Sequence, residues 1–432
     1  MKGQNMNKTE NKMYNFMIFF ISQTVSELGT SMTGFATVIW MYSKSGQVMS
    51  ASLLAICSTV PYLIVSLLGG ATVDKKKIML ICDSIAATGS VFLLSCYILG
   101  ALQLWVLCLV NVINGFMNAF QNPASQVTVT LLVDKKDYAR IGGIQSTISA
   151  LVGIFQPILA TAILNMLGLQ WILIIDLCTF VFAFLALLFV VQIPDEIPSD
   201  NQTSFSEIWN GLKEGIDFVV GNRPILMLLF MYCILEFIGA ISFDGMFTPL
   251  LLARTNNNET IVGIVSSFMA LGCIVASVLL SVIKQPQKKL PLMYFGSYMC
   301  LIGITLFGMG RNLVWWCSVV FIGCFGSPIY HTYQTIIIRE KVDTSMQGRV
   351  FSLQGMITQA LTPLGFLGGG MLADYIFEPF MEKMSLSKNI ITFLVGRQNG
   401  SGIGLIFVLA GLTGIAALTI LKCNPAIKQL DQ

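Results

Sequence analysis

Charge is scarce in this chain. Of 432 residues only 11% are Asp, Glu, Lys or Arg, against roughly 25% in a soluble globular protein, and His331 is the single histidine. So few charges cannot clothe a water-facing surface of this size. The net charge of +3 leaves no basic face for nucleic acid. Signatures of common chemistry are missing as well: there is no H-E-x-x-H, no G-x-S-x-G and no phosphate-cradling G-x-x-x-x-G-K-[ST]. An enzyme is therefore not expected, nor a cofactor, nor ATP hydrolysis by the chain itself. The eleven cysteines form no C-x-x-C pair and none flanks His331, which argues against zinc or a disulfide framework and for thiols as small apolar fillers. The polar start carries Lys2, Lys8 and Lys12 with no short apolar core and cleavage site, so no removable signal peptide is expected.

What the chain has instead is hydrophobicity, at 55%, arranged in blocks of about 20 residues, the length that crosses a bilayer core as a helix. Twelve spans are read, at 15–42, 49–73, 78–100, 104–122, 141–168, 170–193, 225–252, 261–283, 291–310, 313–338, 350–373 and 402–421. Lipid offers no partner to an open backbone N–H or C=O, so each span is predicted to be helical. With both termini inside, nineteen of the 25 Lys and Arg residues fall on the cytoplasmic side and six outside, the bias expected of cytoplasmic loops.

The chain also repeats itself. Glu27 and Glu236 stand 209 residues apart, as do Asp134 and Asp343, Arg140 and Arg349, and Gln145 and Gln354. Duplicated halves with acids at equivalent depth are the pattern of a transporter built from parallel bundles. The halves are expected at 1–193 and 224–432, joined by a cytoplasmic linker, 194–223. Within that linker Ser204 and Glu207 form a capping-box signal ahead of Ile208, Trp209, Leu212 and Ile216 at helical spacing, which predicts an amphipathic helix at the membrane surface or against the bundle. The outside segment 374–399 is the one long connection among otherwise short ones and is read as an ordered hairpin, with a lid as the alternative.

Candidate working residues are those that lipid would reject. An ionised acid at mid-membrane costs roughly 2.5–3.5 kcal/mol on insertion scales, so Glu27, Glu236 and, eight residues further, Asp244 are candidates for proton coupling. Gln23, Glu27, Thr30, Gly34 and Thr37 make one polar or small face on span one; Asn111, Asn114, Asn118 and Asn122 make another on span four. Gln23, Glu27, Thr30, Asn111, Asn114, Asn118, Tyr232, Glu236 and Tyr330 are the candidate substrate contacts, with Trp40, Tyr62, Phe243 and Tyr333 as further aromatic surface. A gating cluster of ion pairs is expected from Asp74, Lys75, Lys76, Lys77 and Asp83, with Asp134, Arg140, Asp343 and Arg349 in the equivalent loops completing the latch. Asp176 reads as a helix-packing acid. Pro157 and Pro363, the latter followed by Gly365 and Gly368–Gly370, mark close packing or hinging.

Several stretches resemble a known family. Gly348-Arg-Val-Phe-Ser-Leu353, Pro363-Leu-Gly365, Gly368-Gly-Gly-Met-Leu-Ala-Asp374, Gly69-Gly70 with Val73-Asp74 and the three lysines, Pro123-Ala124 after span four, and Asp176 are together similar to the macrolide-efflux-like branch of the major facilitator superfamily. Asn114 stands where that superfamily commonly has an arginine. The resemblance implies an all-α integral membrane protein with twelve helices in two pseudo-symmetric six-helix bundles, cavity lining by spans one, four, seven and ten, and rocking between inward-open and outward-open states. It further implies export of amphipathic drug-like compounds or metabolites in exchange for protons, by a monomer surrounded by membrane lipid. Lysolipid flipping by the same fold and a membrane receptor that binds without transport are the alternatives.

Overall fold

Apolar runs of this length have one way to satisfy their backbone in lipid, and the chain takes it. The computed structural model describes residues 2–67, 75–133, 138–192, 205–283, 286–384 and 390–431, and among them it contains no strand. The helices are α1 (Lys2–Ser45), α2 (Val48–Leu67), α3 (Lys75–Ile98), α4 (Leu104–Leu132), α5 (Tyr138–Leu167), α6 (Leu169–Leu185), α7 (Phe205–Gly221), α8 (Arg223–Gly239), α9 (Gly245–Arg254), α10 (Glu259–Val282), α11 (Leu290–Met309), α12 (Leu313–Lys341), α13 (Thr344–Met371), α14 (Glu378–Met384), α15 (Ile390–Val395), α16 (Ser401–Cys423) and α17 (Pro425–Lys428). Eleven stretches are long and apolar enough to cross a membrane, and they correspond to spans two to twelve. The first span lies in α1, whose length is ample but whose apolar run is diluted by Gln23, Glu27 and Thr30. Large side chains such as Phe189, Val278, Val282 and Ile420 point outward, a surface suited to acyl chains and unsuited to water.

The chain divides into two compact units, one of residues 1–41 with 54–202 and one of 42–53 with 203–432. In the first unit, α1, α3, α4, α5 and the π-turn after α6 (Ala186–Val190) pack around Phe16, Phe19, Met79, Ala124, Leu132, Ile141 and Leu187. Span four was expected to stop before Pro123, yet α4 runs through that proline to Leu132. The reason is tertiary: Ala124, Thr128 and Leu132 form one buried face of the helix, and the Thr128 hydroxyl, on the Ala124 carbonyl at 2.8 Å, also reaches Met79 Sδ of α3 at 3.8 Å. Gly115 of α4 brings that helix against α2, since a Cβ there would lie 2.2 Å from the Ser58 carbonyl oxygen. Gly115→Val is therefore expected to destabilise the unit by about 1–3 kcal/mol or more, read as a lower thermal-unfolding midpoint of the purified protein. Gly142→Ala, where an added Cβ meets nothing, should leave the midpoint in place.

In the second unit α8 continues through a π-turn, Ala240–Asp244, into α9. The turn sits against the glycine-rich face of α13, where a Cβ on Gly369 would come within 2.7 Å of the Ile241 carbonyl oxygen. Helix ends here are satisfied by charges from elsewhere in the chain. Asp374 accepts from the backbone N–H groups of Val48 (3.0 Å) and Met49 (2.8 Å), the first turn of α2. Glu378 accepts from Ile403 N at 3.0 Å, in the first turn of α16. Arg254, at the end of α9, donates to the carbonyls of Gly310 and Val395, which close α11 and α15. Acids at helix starts and a cation at helix ends complete the orphan groups and suit the helix dipoles. The segment 374–399 thus holds a π-turn, α14 and α15, with Met381 and Val395 packed on α16 residues Leu405 and Val408.

Candidate functional site: acids among neutral partners

Each unit carries its own polar centre. In the second unit it is built on α8 and α12. Tyr330 donates its hydroxyl to Glu236 Oε1, and His331 Nε2 lies 3.6 Å from the same oxygen. The Tyr330 and His331 rings are stacked at 4.0 Å, and the Tyr232 ring meets His331 edge-on at 5.8 Å. Tyr232 also faces Gln354 and Thr358 of α13, so the glutamine of the repeated motif reaches this centre. Two tyrosines are buried, whereas Glu236 and His331 keep partial access. A carboxylate, a phenol and an imidazole in contact can bind and release a proton, and imidazole is the side chain whose charge changes nearest neutral pH. Asp244 lies within electrostatic reach of Glu236 on the π-turn, with an accessible side chain.

The sequence reading named Glu236, Tyr232 and Tyr330, and the structure brings them together. It missed His331. The signal available was a lone imidazole in an apolar span, directly after a candidate aromatic residue, where a polar group is costly unless it has work or a partner.

In the first unit the predicted residues separate. Glu27 is exposed on α1, next to exposed Thr30 and Gly34. Thr30 donates to Asp176 Oδ1 at 3.0 Å, and Ser90 donates to Oδ2 at 2.8 Å; Asp176 is thus a packing acid joining α1, α3 and α6. On α4, Asn111 bonds its own helix at the Leu107 carbonyl, 2.9 Å away. Asn114 carries a buried side-chain oxygen without a donor among the described residues, and Asn118 is exposed. The stripe of 111, 114 and 118 continues at Gln121 rather than at Asn122: the Gln121 amide donates to Asp83 Oδ1 at 2.6 Å.

The expected gating cluster is redrawn. Asp83 is buried and paired with Gln121, not with lysine; it sits eight residues into α3, about 12 Å of helical rise from Lys75. Lys76 instead donates to the carbonyls of Leu188 (3.1 Å) and Val191 (2.7 Å), which end the π-turn after α6. Lys75 and Lys77 lie on the same first turn of α3. Arg349 does not pair with Asp343; its Nη1 meets Glu214 Oε2 of α7 at 2.5 Å. Six residues along an α-helix turn a side chain about 120° away, so Asp343, the N-cap of α13, and Arg349 cannot share a face. Asp74, Asp134 and the Arg140 side chain lie outside the described residues.

Sequence, fold and family profile each liken the chain to known proteins. Macrolide efflux protein A of Streptococcus pyogenes is 26% identical over 380 residues, covering 86% of this chain and 92% of that one. The protein of the same name from Enterococcus faecalis is 27% identical over 330 residues, covering 74% and 99%. In fold, a bacterial homologue of the iron transporter ferroportin, in its inward-facing state, superposes with a TM-score of 0.68 at 14% identity over 95% of this chain and 99% of that one. The sequence profile of the Major Facilitator Superfamily matches residues 19–366. With helices of membrane-crossing length throughout and that match over most of its length, this chain belongs to the Major Facilitator Superfamily, as a multi-pass membrane transporter and not an enzyme.

Proposed function

We propose that this transporter exports amphipathic drug-like compounds or metabolites, macrolide-like molecules among them, by alternating access in exchange for protons. The observation that carries the coupling is Glu236: a carboxylate within an apolar span, touched by a tyrosine hydroxyl and an imidazole and by no Lys or Arg among the described residues. A fixed ion pair would hold it charged; neutral and titratable partners let it take up a proton and give it back. Within the first unit the candidate substrate contacts are Gln23, Glu27, Asn114 and Asn118, and within the second they are Tyr232 and Tyr330, each set of a chemistry that suits hydroxyl and amine groups on a large ligand. Protons are the only further ligand this cycle needs, and a monomer suffices for it. The nineteen-to-six distribution of Lys and Arg supports both termini on the cytoplasmic face of a bacterial plasma membrane.

The test is reconstitution. Proteoliposomes holding the purified protein and a radiolabelled macrolide are given a pH gradient, and label should accumulate against its own gradient until a protonophore is added. Accumulation indifferent to the protonophore removes proton coupling. Movement of labelled lysolipid in place of the macrolide would replace the substrate class, and binding with no movement would make the protein a receptor.

A further inference from the structure

Among the described residues the first unit holds two buried acids, Asp83 and Asp176, and their surroundings differ in a way that bears on coupling. Asp176 has a hydroxyl donor on each oxygen. Asp83 accepts from the Gln121 amide on Oδ1, while its Oδ2 is buried with no hydrogen bond of good geometry among the described residues. Close to it from α1 is the amide of Gln23, whose nitrogen is itself buried without an acceptor. The titratable neighbour is the Cys82 thiol on the same helix; α1 and α4 present amides, and no described Lys, Arg or carboxylate is paired with Asp83. An ionised carboxylate with one oxygen unserved in such a place is costly. A carboxylic acid is not, because an amide can both donate to its carbonyl oxygen and accept from its hydroxyl.

We infer that Asp83 is a proton-binding site of the first unit, loaded in the arrangement seen here and emptied when α1 and α4 shift relative to α3. Its place, about two turns from the basic start of α3, puts it within a short path of water at that end of the helix. Release needs only that the buried face open; the proton then passes to water and the freed carboxylate gains solvation and the two amides as donors. Asp83 acts as a station of the first unit, separate from Glu236 in the second, and this assignment rests on the proton-coupled reading above.

Infrared spectroscopy of the protein in lipid bilayers tests the site directly. Wild type should show a protonated-carboxyl C=O stretch at neutral pH that is lost in Asp83→Asn and moved in Asp83→Glu. An unchanged band in both variants overturns the inference. Transport gives the second arm: in proteoliposomes with a radiolabelled macrolide, Asp83→Asn should accumulate label about tenfold less per unit of pH gradient, and the pH dependence of its residual flux should flatten. Wild-type accumulation and pH profile retained in Asp83→Asn would likewise overturn it. If wild type itself ignores the gradient, the proton-coupled reading fails, while the band still decides whether Asp83 holds a proton. Should Asp83→Asn not fold, Asp83→Glu and its moved band carry the decision.

Discussion

Replacing Glu236 with Gln should leave a folded protein that no longer accumulates substrate against a pH gradient. Gln keeps an oxygen for the Tyr330 hydroxyl and keeps the side-chain volume, so the α8–α12 contact survives. What it loses is the ability to be charged in one state and neutral in another. For an exchange of one proton per substrate, each unit of pH difference supplies about 1.4 kcal/mol, equivalent to a concentration ratio of about tenfold. The variant should relax to a ratio of one, whatever the gradient, with macrolide binding reduced far less than accumulation. Undiminished accumulation would take Glu236 out of the mechanism. His331→Gln should fall between the two, shifting the pH profile of transport rather than abolishing it, because the imidazole touches the same oxygen without being the only group on it. The measurement is initial uptake rate and steady-state ratio in proteoliposomes across a pH series.

The second large effect is on stability. Arg254→Leu removes the guanidinium that serves the carbonyls of Gly310 and Val395, and no water-facing rearrangement is available to the half-buried helix ends it leaves. Hydrogen bonds to a charged group contribute about 1.5–3 kcal/mol each, so a loss of about 3–5 kcal/mol is expected. In a domain of this size that lowers the unfolding midpoint by on the order of 10 °C. Arg254→Lys should recover only part, because an ammonium lacks the fork that reaches two carbonyls at once. A midpoint within a degree or two of wild type for Arg254→Leu would show that these helix ends are held by packing alone.

Much of the architecture could be read from one dimension because lipid simplifies the problem. Where no water is available, length and apolarity decide the element, and the spans expected at 104–122, 225–252 and 402–421 reappear as α4, α8 with α9, and α16. The misreadings came where a local rule met a tertiary neighbour. Pro123 looked like a terminus, yet packing on Met79 and the Thr128 hydrogen bond carry α4 beyond it. Asp83 and the lysines looked like one cluster because they are close in sequence, but a helix separates them by rise and rotation. Arg349 found Glu214, a partner in the linker helix that no repeat pattern names.

The amino-acid sequence by itself determined that this is a duplicated, helical membrane protein with acids retained inside apolar spans, since hydropathy, length and a constant offset of 209 residues are properties of the chain alone. Only the tertiary structure decided which partners each of those acids meets. Glu236 met Tyr330 and His331 across α12, Asp176 was closed off by two hydroxyls, and Asp83 was left with one unserved oxygen. The reason is physical: the cost of a buried charge depends on the atoms within a few ångströms of it, and those atoms arrive from helices far apart in the chain.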